Sequence, residues 1–353
     1  MEVTELPMFR GLPRSVVEAA LPAFTQIDAA SGDVLMVAGE HDPTAVFVLS
    51  GELEVSTGAT PLGFLRAGQI AGEAALFADG VRTADVCANQ PTRMLVLSRP
   101  GYRALARAGS LVAVQIEELA LEAVSARLRR MSARIAEASP GRTEARTRGW
   151  MSRLAAAWVG VAEVRVDVVE ALAQSALFAG APIDALRPIA AACRALRLPD
   201  GTRLCEEGGG GDEMFVVVSG EVEVTRRTRA GREQPLSLLR HGDAFGVCAL
   251  VQPDEPRSAS CVARGTVVVL TLGPVAWAEL VHRADAAGSA LRVALIRSMA
   301  RSLAYANAQL ATLGHAQQEA ADEAIRARAG AGLEVSGAFV RDPTPASWYE
   351  TPS

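Results

Sequence analysis

The sequence predicts a mainly β, α+β protein of two tandem antiparallel rolls, each flanked by helices and closed by a long one. Three observations carry that prediction. A unit of about 130 residues occurs twice. Within each copy, short β-rich runs are punctuated by glycines at turn spacing. Each copy then ends on an apolar stripe at helical spacing.

Residues 31–55, SGDVLMVAGEHDPTAVFVLSGELEV, align with residues 200–224, DGTRLCEEGGGGDEMFVVVSGEVEV, at a shift of 169. The shift pairs Gly32 with Gly201, Gly39 with Gly208, Gly51 with Gly220 and Phe9 with Phe178. Past the next hairpin the shift becomes 174, because TRRTRAGREQP is longer than STGATP. AGQIAGEAALF then aligns with HGDAFGVCALV.

Each copy opens on an Ala/Leu-rich helical stretch, residues 15–25 and 183–196. In the first copy VLMV, AVFVLSG, ELEVS, RTADVCA and TRMLVLS follow as strands. Leu121, Val124, Leu128, Met131 and Ile135 then recur at three and four places, as do Leu295, Met299, Leu303, Ala306, Leu310 and Leu313. Such a stripe either packs on its own barrel or forms a seam, in a dimer or between the two units. Residues 138–149 are polar and read as a linker, and Trp150, Leu154 and Trp158 share the face of a docking helix. The stretch from Gly330 onward, with three prolines, reads as a loose tail. The expected division is a first domain with closing helix at 1–137, linker and docking helix at 138–170, a second domain with closing helix at 171–318, and a flexible tail at 319–353.

Composition excludes whole classes of chemistry. The 353 residues suit two domains, and at 50% hydrophobic they can bury a sizeable core. All 35 basic residues are arginine, which removes the Walker-type phosphate loop, the protein-kinase lysine and Schiff-base catalysis. A net charge of −5 argues against a large nucleic-acid footprint. Five cysteines without C-x-x-C spacing argue against a disulfide framework or structural zinc and fit a reducing cytoplasm. The four histidines form neither H-x-H nor H-E-x-x-H, so no metal is expected. The opening MEVTELPMFRGLPRS lacks the pattern of a signal peptide, and no apolar run reaches the length of a membrane helix.

Residues 72–83, GEAALFADGVRT, hold a Glu and an Arg nine positions apart among small and apolar residues. Opposite charges held apart in this way suit a ligand with two different polar ends. A salt bridge between them across an empty roll is the structural alternative. The ordered set VFVLSGEL, AGQIAGEAAL and RTA resembles the cyclic nucleotide-binding domain family, which includes protein kinase A regulatory subunits and the catabolite activator protein. The resemblance covers both repeats and implies two double-stranded β-helix, jelly-roll-like domains. Gly72 would let backbone approach the ligand, and Ala74, Ala75 and Leu76 favour a helix whose free N–H groups meet an anion. The resemblance gives Ala75 the key backbone amide, Arg82 and Thr83 the cyclic phosphate, and Glu73 the ribose 2′-hydroxyl.

The second cassette, FGVCALVQPDEPRSA, keeps Gly246, Ala249, Arg257 and Ser258 but has Val247 at the ribose carboxylate position and ten residues to its arginine. Losing a hydrogen bond to a charged acceptor, worth about 1.5–3 kcal/mol, weakens binding roughly tenfold to a hundredfold. This second site is expected to be weak, altered or empty. The ligand implied by the resemblance is cAMP first, by family frequency, with cGMP compatible with Thr83. Arg129-Arg130-Met131-Ser132 matches a basophilic-kinase pattern but falls on the apolar stripe. Arg226, Arg227, Arg229 and Arg232 read as a solvated loop or, less simply, a contact for an anionic partner. No helix-turn-helix follows the closing helix, so DNA binding by that route is not expected.

The expected function is a non-enzymatic, cytoplasmic regulatory protein. Cyclic nucleotide in the first roll would shift the helix at 111–137 and pass the change to the second roll, a protein partner or a homodimer through the long helices. The alternatives are a ligand-free scaffold of interaction modules and an enzyme acting on cyclic nucleotides.

Overall fold

The computed structural model describes residues 3–58, 60–138, 160–228, 231–252 and 254–334. Residues Met1–Ala311 form one compact unit and Thr312–Ser353 a second. The expected docking face of Trp150, Leu154 and Trp158, and the tail beyond residue 334, lie outside the described residues.

The first repeat begins with α1 (Arg14–Ala20) and continues through β1 (Phe24–Ala29), β2 (Val34–Met36), β3 (Thr44–Ser50), β4 (Glu52–Thr57), β5 (Thr60–Arg66) and β6 (Ile70–Ala71). A five-residue helix, α2 (Glu73–Phe77), precedes β7 (Asp85–Ala88) and β8 (Thr92–Ser98). The repeat closes on α3 (Arg99–Arg107) and the long α4 (Leu111–Ala138). The strands form two four-stranded antiparallel sheets, in the orders β1-β8-β3-β6 and β2-β7-β4-β5.

The second repeat follows the same plan with fewer breaks. It contains β9 (Ala162–Glu163), α5 (Val168–Gln174), α6 (Ile183–Ala192), β10 (Arg194–Leu198), β11 (Arg203–Cys205), β12 (Met214–Arg227), β13 (Glu233–Leu239) and β14 (Ala244–Phe245). Then come α7 (Val247–Val251), β15 (Ser260–Leu272), α8 (Pro274–Val281) and α9 (Ala286–Glu334). Here β12 runs through Gly220 where the first repeat divides into β3 and β4, with a register shift at that point. The second repeat's strands join in one seven-stranded antiparallel sheet, and these jelly-roll strands with flanking helices match the predicted α+β class.

Period-two alternation explains why the central strands are buried on both faces. In β3, Val46 and Val48 point into the first roll with Met36, Leu53, Leu65 and Met94. Ala45, Phe47 and Leu49 point the other way, into a core of helices. In β12, Phe215 and Val217 line the second roll, while Met214 and Val216 join that same helical core. The molecule therefore has two roll interiors and one shared apolar layer containing residues of both repeats.

Part of each long-helix stripe belongs to this shared layer: Leu121 and Val124 of α4, and Leu295 and Met299 of α9. Leu121, Val124, Met131 and Ile135 are buried, and so are Leu295, Met299, Leu303, Ala306 and Leu310. Both readings open in the sequence are realised within the chain: Met131 of α4 lines the first roll's own hollow, while Leu128 and Ile135 line the cavity of the second roll. Met131 and Ser132 are buried on α4, so the basophilic-kinase pattern is a helical face.

A buried ion pair locks the closing helices together. Glu117 of α4 and Arg292 of α9 are 1% and 0% exposed, with Arg292 Nη2 2.8 Å from Glu117 Oε2. Tyr102 and Ser289 donate their hydroxyls to Glu117 Oε1 at 2.6 and 2.8 Å. Burial and the adjacent Glu117 charge push the Tyr102 phenol well above its ordinary range, keeping it a neutral donor.

The start of α9 is capped by Asp285, which accepts the Ala287 and Gly288 amides at 3.1 Å. Hydrogen bonding by Arg283 is the main cause that lowers its carboxyl from 3.8 to about 2. A depressed folded-state value means stability that is present above pH 3.8 and lost as pH falls through about 2. Asp285→Ala is therefore expected to cost about 1 kcal/mol at neutral pH. The difference from the parent should vanish in acid-denaturation curves near pH 2.

Candidate ligand-binding site

The local sequence forces a sharp entry into α2. Gly72 adopts φ +80°, and an added Cβ would lie 2.3 Å from Arg82 Nη1 and 2.5 Å from the Thr44 carbonyl oxygen. Only glycine serves both the left-handed backbone and the close approach. The far end of α2 is held by Arg99, which donates to the carbonyls of Ala75, Leu76 and Ala78 at 2.6–2.9 Å. Burial lowers the proton affinity of its guanidinium.

Gly72, Glu73, Ala74, Ala75, Arg82 and Thr83 all line one cavity of about 30 Å³. Glu73 and Arg82 are 1% and 4% exposed and are not paired with each other. Arg82 donates to the Thr44 carbonyl at 2.7 Å, the Thr44 hydroxyl at 2.7 Å and Asp42 Oδ2 at 2.6 Å. Arg127 of α4 pairs with Glu73 Oε1 and also donates to the Ile70 carbonyl. Two atoms remain buried without a hydrogen-bond partner: Glu73 Oε2 and Arg82 Nε. An unsatisfied carboxylate oxygen and an unsatisfied guanidinium N–H on residues lining one cavity call for a ligand that both donates and accepts.

A larger hollow of about 270 Å³ shares Val55, Leu65, Thr83, Ala84 and Arg127 with this cavity. Its other walls include Phe64, Arg130 and Met131, with Leu303 and Asn307 from α9. Asn307 is 3% exposed and donates Nδ2 to the Thr83 carbonyl at 2.8 Å. A carbonyl only accepts, which fixes the amide orientation and leaves Asn307 Oδ1 buried and unpartnered. Asp42, Arg127 and Asn307 escaped the sequence reading, since no spacing ties them to the cassette.

In the second roll Gly246, Ala249, Arg257 and Ser258 line a cavity of about 110 Å³. Arg257 donates to the carbonyls of Gly246 and Glu213, both at 2.8 Å. Val247 is buried where the first roll has Glu73. Leu128, Ser132 and Ile135 of α4 also line this cavity, so the helix that closes the first roll also lies over the second. In the neighbouring hairpin, Arg226 and Arg227 pair with Glu207 and Glu206; Arg229 lies outside the described residues.

The family model of the cyclic nucleotide-binding domain matches residues 26–108 and 195–284. The chain contains two cyclic nucleotide-binding domains. It is 25% identical over 262 residues to the cGMP-dependent protein kinase egl-4 of Caenorhabditis briggsae, covering 74% of this chain and 28% of that protein. It is 41% identical over 85 residues to a cAMP-dependent protein kinase regulatory subunit of Aspergillus fumigatus, covering 24% and 20%. It is 28% identical over 145 residues to the CRP-like cAMP-activated global transcriptional regulator of Mycobacterium tuberculosis, covering 41% and 62%. The chain thus spans under a third of the two kinase-related proteins. Among the described residues, no three His, Cys, Asp or Glu side chains gather as metal ligands, and no helix is long and apolar enough to cross a membrane.

Proposed function

We propose that the first cyclic nucleotide-binding domain binds a 3′,5′-cyclic nucleotide and that the chain acts as a non-enzymatic regulator. The cyclic phosphate would take Arg82 and Thr83, the ribose 2′-hydroxyl Glu73, and the base the hollow beside Phe64, Met131 and Asn307. The observation that carries this reading is the pair of buried, unpartnered atoms, Glu73 Oε2 and Arg82 Nε, on residues lining a common cavity. Cyclic AMP remains the first choice; cGMP is the second.

The ligand would have to open the site. A cavity of about 30 Å³ holds a water or two, not a sugar phosphate. Together with the hollow beside it, the space nears the lower end of ordinary ligand pockets, about 300 Å³. Arg127 borders both compartments, so entry of a nucleotide would displace it and with it α4. The same helix donates Arg129 to the Pro256 and Glu255 carbonyls of the second domain at 2.7 and 3.3 Å. Movement of α4 would therefore reach the second cassette. The shift is bounded by the difference in ligand affinity between the two positions of α4.

The scaffold reading has one observation in its favour: the Arg82–Asp42 and Glu73–Arg127 pairs already balance both charges. The ribose contact decides between the two readings. Calorimetric titration of the full chain should show 2′-deoxy-cAMP binding roughly tenfold or more weakly than cAMP. Glu73→Ala should weaken cAMP by a similar factor and erase the difference between the two ligands. No heat with either ligand, or an undiminished preference in Glu73→Ala, would favour the scaffold.

A further inference from the structure

Arg257 is the one cassette arginine whose charge is left without a carboxylate. It is 7% exposed, and its two hydrogen bonds go to neutral carbonyls. Among the described residues no Asp or Glu forms an ion pair with it. Glu213 turns its carboxylate to Arg194, 3.1 Å away, and Glu255 lies 4.0 Å from Arg129. In the first roll the equivalent arginine meets Asp42. The repeat shift of 169 places Gly211 at that position. A Cβ there would lie 2.5 Å from Arg257 Nε and Nη2, so the guanidinium packs where a counter-charge could have stood.

The space around this charge differs from the first site in size and chemistry. At about 110 Å³ it is larger than the polar cavity of the first roll. Val224, Leu236, Leu239, Phe245, Val247 and Met299 supply apolar walls. No carboxylate waits for a ribose hydroxyl. An apolar cavity of about 150 Å³ is known to take benzene, so this one suits a ring or short branched chain rather than a nucleotide. A buried cation beside an apolar chamber is satisfied by an anion carrying an apolar body.

We propose that the second roll is a binding site for a small carboxylate with a compact apolar body, of benzoate or 3-methylbutanoate size. The carboxylate meets the Arg257 fork, with the Ser258 hydroxyl on the same wall, and the apolar body replaces water against Phe245 and Leu239. This inference goes beyond the cyclic-nucleotide reading and stands without it. Leu128 and Ile135 of α4 line the same chamber, so its occupant also bears on the helix that closes the first roll.

The test is a thermal-shift and calorimetric titration of the full chain with benzoate and 3-methylbutanoate, cyclic nucleotide being absent. The matching neutral amides serve as controls. The expected result is saturable stabilisation by at least one carboxylate and none by its amide. Arg257→Met, which keeps the apolar stem, should weaken that binding at least tenfold. Val247→Glu, which puts a negative charge of the protein's own into the chamber that the ligand's carboxylate must enter, should do the same, with circular dichroism reporting the fold of both variants. No saturable response to either acid at millimolar concentration, equal responses to acid and amide, or a response that survives both substitutions would overturn the proposal.

Discussion

Arg292→Ala should destabilise the chain by about 3–5 kcal/mol, the largest stability effect expected of any single polar substitution in it. The substitution removes the partner of a buried carboxylate whose other contacts are hydroxyls, and it vacates the largest fully buried side chain among the described residues. Glu117 would then sit charged and unpaired at 1% exposure. Equilibrium denaturation should show a midpoint well below the parent's. Breaking a buried pair costs more than the pair itself contributes, because the cost lies in the orphaned charge. The double variant Glu117→Leu, Arg292→Met should therefore recover much of the loss. A single variant within about 0.5 kcal/mol of the parent would deny the pair this role, since that is the range of neutral surface changes.

The second large effect concerns binding. Arg82→Ala should weaken cyclic nucleotide binding roughly a hundredfold, from the loss of about 3 kcal/mol of charge-assisted hydrogen bonding to phosphate. Asp42→Asn should act in the opposite direction. It removes the carboxylate 2.6 Å from Arg82 that competes with phosphate for the fork. The unliganded protein should lose stability while ligand-induced stabilisation grows, because the phosphate then neutralises a charge that nothing else does. A purely structural Arg82 would give parallel losses in both variants and no such reversal.

Much of the architecture was legible because it rests on local, periodic signals. The glycine-punctuated runs became two four-stranded sheets in the first roll and one seven-stranded sheet in the second, and the apolar stripes marked α4 and α9. Their partners were not legible, since a stripe records that a face is buried and not against what. Leu128 and Ile135 of the first repeat line the second roll, and Leu303 and Asn307 of the second repeat line the first. That exchange depends on how the repeats dock, which no spacing within a repeat encodes. The cassette residues from Gly72 to Thr83 are close in sequence, and the chain itself brings them to one cavity. Asp42 and Arg127 reach it from 40 positions before Arg82 and 54 positions after Glu73, so the two ion pairs that balance the site appear only in three dimensions. The second cassette was readable as altered from Val247 alone. Its unbalanced arginine became visible only once Gly211 was seen against the guanidinium.

The central claim is that the first roll takes a cyclic nucleotide between a guanidinium and a carboxylate. Isothermal titration of the full-length chain with cAMP, and then cGMP, tests it most directly when repeated on Arg82→Ala. The account predicts saturable heat from the first-roll site for at least one of the two nucleotides, reduced about a hundredfold in affinity or lost in the variant. Absence of heat with both nucleotides, or an isotherm unchanged by Arg82→Ala, would contradict it.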